Sequence, residues 1–436
     1  MSDLRSLLAV GGVISPEWAE NVTAAIQGMI DGSHAPPQPP PAQAWAPPIG
    51  IPDPGFGISG PVAVRPPAWP NIAVAGHYYI DNTDVAATDY DNPYGCPNRP
   101  RLTIPPRVIL QPGSVVEIHG GPYELAARWR FQGGGTWDNF AFIRGPSPDN
   151  RPILLSGLDF YLDGGGYIVV ENLSLRYGMM LGNQPCHHVV VRGCEFANRP
   201  LKGSALGISG TVADGRETHH IVVYNNVFHN NGDWLADFDE DTHGIGVVYF
   251  SNHVWILDNE FYHNSGNGVQ VSAQNKAYEK TTHHVYIGRN RTHHNKQTGL
   301  WTKFGHDIIF SENECWAARP VGENPSSPGD GIGGQYGPEN VWIIFNRIYE
   351  CDYGIRFSSD TGGGGTGFGQ NIHIVGNQIY DIHHSERDVT GQWPVAYDPK
   401  NAWSPGRAIA IWHSAAVKHI VGNSIRDVDG GIVTVR

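Results

Sequence analysis

Charge is scarce in this 436-residue chain: Asp, Glu, Lys and Arg make up 16% of it, with 29 basic residues against 42 acidic ones. That composition excludes helical bundles and coiled coils, which are built on Ala, Leu, Glu and Lys. The formal charge of −13 excludes a general basic face, so no nucleic-acid partner is expected. Long apolar runs are missing too. None reaches the ~18 residues of a membrane span. The apolar stretch 7–14 is short and runs into Pro16 and Glu17, so it does not read as a signal peptide. The five cysteines are odd in number and contain no CxxC pair, which excludes a disulfide framework.

What is abundant is turn chemistry. The chain holds 55 Gly, 33 Pro, 29 Asn and 21 His. Its 40% hydrophobic content still permits a large core. Residues 16–30 can form one helix, with Ser15 as N-cap and Pro16 at the first helical position. Thirteen of the prolines fall within residues 31–70, which reads as an extended arm outside any core. The expected organisation is an N-terminal helix and Pro-rich arm over 1–70, then one body over 71–436. Within that body, 71–165 reads as irregular first coils and 166–436 as regular ones.

The regularity is a repeat. A turn residue is followed by V/I-x-V/I-x-x-N-x-F/I, and the Asn position is occupied by Leu173, Cys194, Asn226, Asn259, Asn290, Asn313, Asn346, Asn377 and Asn423. A second strand opens on a small residue at Gly244, Gly268, Gly299, Gly331, Gly354, Ala408 and Gly431. Alternation over four to six positions means strands, and strand repeats at this period mean a solenoid. The pattern resembles the right-handed parallel β-helix (pectate-lyase-like) superfamily. The resemblance implies an all-β, right-handed parallel β-helix and a carbohydrate-active protein acting on a polysaccharide outside the cell or on a virion. It leaves the chemistry open, because this fold hosts many activities.

The register disposes of most of the histidines. Six positions before each anchor stand Tyr167, His188, His220, His253, His284, Asp307, Asn340 and Asn371, where His, Asn and Asp suit a turn. Three after it, from the third anchor on, stand His229, Tyr262, His293, Trp316, Tyr349 and Tyr380. This column is expected to stack and shield the coils, with a sugar platform as the functional alternative.

Chemistry is expected on the second-strand face, beside the longest loops. Stacked there are His243, Gln270, Trp301, Lys303, Asp330, Gln335 and Arg356, with Tyr336 next to them. Asp237, Asp239 and Asp241 alternate like calcium ligands, although the glycine and the closing Glu of an EF-hand are absent. Asp241 and His243 also resemble the Asp/His motif of alginate epimerases and lyases on this fold. Three functions compete. The first is a polysaccharide lyase or uronate epimerase. Calcium or Arg356 would then neutralise the substrate carboxylate, Lys303 or His243 would be the base and Tyr336 the acid, with Trp301, Gln270 and Gln335 binding sugar. The second is a glycoside hydrolase pairing Asp239 or Asp241 with Asp330. The third is a non-catalytic binder such as an adhesin or phage spike. The last strand, Gly430-GIVTVR, is expected to need a capping partner or a second copy.

Overall fold

The computed structural model describes residues 45–69, 71–125, 128–156, 160–200, 202–235, 240–273, 275–318, 329–358, 369–383, 406–412 and 418–435. The expected helix at 16–30 lies outside them. The one helical element among the described residues is a 3-10 turn, Lys276–Tyr278.

Everything else regular is β. Strands fall into three all-parallel sheets that share one order along the chain. The first sheet has 12 strands from Tyr78–Asp81 to Lys418–Val421, the second 11 from Tyr123–Leu125 to Ser424–Val428, and the third 12 from Arg107–Leu110 to Gly430–Val435. A typical coil runs through Thr218–Tyr224, Val227–His229 and Thr242–Val248 before the next begins at Ser251. Each strand pairs with its counterparts one coil before and one after. Strands of residues 78–165 already pair in this way, so the region read as irregular is part of the same ladder. Inward side chains of all three sheets form one continuous core, with Phe196, Phe228 and Phe261 stacked 4.6 and 4.9 Å apart.

The anchor asparagines hold the corner between first and second sheets. Asn259 Oδ1 accepts from the backbone N–H and the Nδ2 of Asn226, both at 2.9 Å, while its own Nδ2 donates to Val223 O, Leu257 O and Asn290 Oδ1. The same exchange runs unbroken to Asn423. The residue before each anchor sits at positive φ, as at Asn225 (53°), Asp258 (55°) and Gly376 (67°), which turns the corner in one step. A second ladder, Asn231–Asn264–Asn295, lies five residues on. Its N-x4-N spacing was readable in the sequence. Cys194 enters the first ladder through its backbone, donating to Asn226 Oδ1 at 2.8 Å, and burial pushes its thiol up to about 12.

The histidine column is a left-handed turn column. Tyr167, His188, His220, His253, His284, Asp307, Asn340 and Asn371 all have φ between 50° and 55°. They lie within the first-sheet strand segments rather than before them. The rings of His188, His220, His253 and His284 stack 4.7–4.9 Å apart. Nδ1 of His219 lies 2.8 Å from Nδ1 of His220, and His283 and His284 repeat this at 2.7 Å. One imidazole of each pair must be neutral to accept. The other predicted column also stacks, from His229 to Tyr380, at 4.3–5.7 Å and within 20° of parallel. Its ring faces cover one another, which leaves edges but no platform for a sugar.

Residues 45–69 correct the reading of the arm. They lie as a strap along the outer face of the first sheet. Trp255 Nε1 donates to Pro52 O at 2.8 Å, Ser311 Oγ to Ile49 O at 2.6 Å, and Arg192 Nη2 to Pro61 O at 2.7 Å. The strap covers outward Val190, Val222, Trp255, Tyr286 and Ile309. The signal was present: runs such as Val189–Val191 are apolar at every position, as a strand buried on both faces requires.

Replacing Asn259 by Ala removes the acceptor for two buried donors of Asn226 and should cost about 3 kcal/mol. The same change at the partly exposed Asn423 should cost about 1 kcal/mol. Urea unfolding of both variants measures the difference. Stability should also depend on pH. Burial, with neighbouring histidines second, depresses His188 and His253 to about 4 and lowers His187, His219, His220 and His283, while His284 is lowered by burial against the pull of Asp307. The unfolded chain therefore binds more protons below its ordinary His pKa of ~6.5, and stability is lost as pH falls from there toward about 4. His253→Asn, the residue type used at positions 340 and 371, should flatten the fall of Tm between pH 7 and 4.5.

Candidate functional site

The third sheet carries the expected row in the expected register. Gly246, Gln270, Trp301, Gly333, Arg356 and Ala410 are successive partners, as are Ser272, Lys303 and Gln335 two residues further on. Depth is what the sequence did not show. Gln270, Lys303, Gln335, Tyr336 and Arg356 reach the surface in part, whereas His243, Trp301 and Asp330 are buried.

Asp330 is buried because Arg356 caps it. Arg356 Nε donates to Asp330 Oδ1 at 2.8 Å and Nη2 to Oδ2 at 2.7 Å. The guanidinium lies 5.0 Å from the Trp301 ring and 5.6 Å from that of Tyr353. Gly333, between Trp301 and Arg356, has room for no side chain, since a Cβ there would meet Trp301 Cζ3 at 2.6 Å. Two expectations change. Arg356 spends its charge on Asp330 rather than offering it to a substrate carboxylate. Asp330, held and covered, is no partner for a second catalytic carboxylate in a hydrolase.

The remaining group lies three coils earlier. Asp241 precedes, and His243 lies within, the strand Thr242–Val248. His243 Nδ1 accepts from the Asn267 backbone N–H at 2.9 Å, which places the proton of the neutral ring on Nε2. Gly266 in the next coil makes the space, as a Cβ there would lie 2.3 Å from His243 Nδ1. Burial depresses His243 to about 4; Asp241 pulls against this and Lys303 adds to it. Asp241 stays exposed, with Gln297 Nε2 donating to Oδ1 at 2.8 Å from two coils away. Burial works against its charge, but His243, Gln297, Lys303 and Lys202 together hold its carboxyl below the usual range. Lys303 Nζ lies 5.8 Å from the Tyr336 ring, which packs on Phe304 at 5.2 Å.

Asp241, His243, Lys303 and Tyr336 are thus brought to one region of the face, with Trp301, Asp330 and Arg356 as a packed block at its side. Asp237 and Asp239 lie outside the described residues. Sequence reasoning missed Asn267, Gln297, Lys202 and Tyr353. Asn267 and Tyr353 stood in the row before each small opener and were readable. Gln297 was not, because it meets Asp241 from two coils away.

Residues 159–322 match the family model described as the right handed beta helix region. The chain is a right-handed parallel β-helix. No curated protein sequence matches it. Among solved structures, the β-helix is similar to the A-module of the Azotobacter vinelandii mannuronan C-5 epimerase AlgE4, at 14% identity and a TM-score of 0.48, over 75% of this chain and 83% of that one. It is also similar to the periplasmic alginate epimerase AlgG, at 14% identity and a TM-score of 0.39, over 75% of this chain and 73% of that one. A third is PfbA, a surface adhesin of Streptococcus pneumoniae, at 11% identity and a TM-score of 0.44, over 72% of this chain and 83% of that one. Identities this low transfer no residue roles.

Substituting Arg356 with Ala removes both charge-assisted hydrogen bonds from the fully buried Asp330 and should destabilise the β-helix by about 3 kcal/mol. Lys303→Ala, on the open side of the face, should change stability by less than about 1 kcal/mol. Denaturant midpoints of the two variants separate the packed block from the working face.

Proposed function

We propose that this β-helix is a carbohydrate-active enzyme, acting outside the cell on an acidic polysaccharide by removing the proton beside a uronate carboxylate. The observation that carries the reading is the meeting of an ionised Asp241, a neutral His243 with its proton fixed on Nε2, and the Lys303 cation on one open sheet face. The proton at C5 of a uronate is weakly acidic, and its loss places charge on the adjoining carboxylate. A cation and a hydrogen-bond donor aimed at that carboxylate lower the barrier. Lys303 and the His243 Nε2–H supply them, and Asp241 takes the proton. Tyr336 delivers a proton either to the departing glycosidic oxygen, completing elimination, or to the opposite face of C5, completing epimerisation. These roles replace His243 as base, since its Nδ1 lone pair is occupied, and Arg356 as neutraliser. Gln270 and Gln335 line the path a sugar chain takes beside them, with the buried Trp301 as its support. Calcium held by Asp237, Asp239 and Asp241 is the competing role for Asp241, and a chelator decides between the two.

Incubation in D2O with a panel of acidic and neutral polysaccharides, with and without chelator, tests this. Unsaturated uronate absorbance reports elimination, and deuterium at C5 without it reports epimerisation. Lys303→Ala and Asp241→Asn should each slow turnover by about 10²–10⁴-fold. Turnover should fail as pH drops through about 4, where a second proton on His243 Nδ1 breaks the bond from the Asn267 N–H that positions the ring. New reducing ends without either signal would mean hydrolysis. Binding without turnover on every acidic polymer would mean a non-catalytic module.

A further inference from the structure

The end of the solenoid farthest from the strap carries a cluster that neither the folding ladder nor the face around Lys303 uses. Asp381 lies in the second-sheet strand Gln378–Ile382 and His383 follows it directly. Asp427 lies in the neighbouring strand Ser424–Val428, with Asp429 just beyond it. Strand pairing sets Tyr380 against Arg426 and Ile382 against Val428, which brings Asp381 beside Asp427.

His383 sits between these carboxylates with its two nitrogens in different settings. Nδ1 lies 2.9 Å from Asp429 Oδ1. Nε2 lies 3.3 Å from Asp381 Oδ1 and 3.5 Å from Asp427 Oδ1. One ligand atom from each of Asp381, His383 and Asp427 falls within 4.8 Å of the other two, and no other group among the described residues converges in this way. Ligands at ~2.0–2.2 Å from zinc in a tetrahedron stand about 3.4 Å apart. The two Nε2 distances bracket that value. A carboxylate on the far ring nitrogen fixes the tautomer and turns the ring toward an ion, which is where Asp429 stands. The group is open to solvent, which would leave a fourth position to water on a bound ion.

We infer that Asp381, His383 and Asp427 form a binding site for a zinc-class divalent cation, with Asp429 as the outer partner of the imidazole. Its ligands come from two successive coils. The ion therefore cross-links them, and its binding stabilises the last described coils. The site is separate from the proposed catalytic face and stands or falls independently of it.

Calorimetric titration of the full chain with zinc chloride, after stripping with EDTA, tests the site. One tight equivalent and a higher Tm with zinc than with EDTA are expected. His383→Ala and Asp427→Asn should each weaken that equivalent at least tenfold and abolish the Tm rise, while His219→Ala, beside the stacked histidine column, should retain both. Circular dichroism of the stripped variants checks that they fold. The proposal is overturned if the wild-type chain shows no tight equivalent, or if both cluster variants keep it. Loss in His219→Ala instead would place zinc on the histidine column and overturn it equally.

Discussion

One constraint governs this molecule: every residue must tolerate its own counterpart stacked a single strand spacing above and below it. Parallel coils repeat at about 4.8 Å, and at that spacing a buried polar side chain has one partner that always fits, another of its own kind. Asparagine meets the requirement best, because its amide donates and accepts in one plane. The run from Asn226 to Asn423 satisfies its members against one another and against the backbone of the corner it turns. Where Leu173 and Cys194 take the anchor place, the position is filled by buried apolar volume.

The same constraint explains residues that would otherwise suggest chemistry. Histidine recurs where the first-sheet strand needs a left-handed residue, and its rings then stack. Aromatic residues recur on the outer second sheet for a related reason, and alternating acids and arginines pair beside them, as Glu260, Arg291, Glu314 and Arg347 do. Function is left with the places where stacking is interrupted. Gly266 and Gly333 are such places. Each removes a side chain from a column so that a large neighbour, His243 or Trp301, crosses into the gap.

Charge pairing then sorts the outward face into two kinds of residue. The Arg356–Asp330 pair is shielded by Trp301 and Tyr353, so it reads as a packed unit that keeps the third sheet rigid. Asp241 and Lys303 are not locked together in this way, and they flank a histidine whose tautomer the backbone of Asn267 sets. Under the proposed function, the rigid block would hold a polymer in place beside the charged group that acts on it.

The fold was legible because the repeat is local: the anchor spacing, the small openers and the alternation each occupy a few consecutive residues. The third-sheet register followed from counting outward from Gly244, Gly268, Gly299 and Gly331, and the structure pairs those strands in that way. The strap was misread because proline-rich composition describes how a segment behaves alone, whereas its place is set by the apolar outer face of the first sheet. The sequence by itself thus determined the solenoid, its columns and the register of the third-sheet face. Only the tertiary structure decided which residues of that face are spent on one another. That depends on depth and on contacts across coils, such as Gln297 with Asp241 and Arg356 with Asp330, and no local periodicity encodes them.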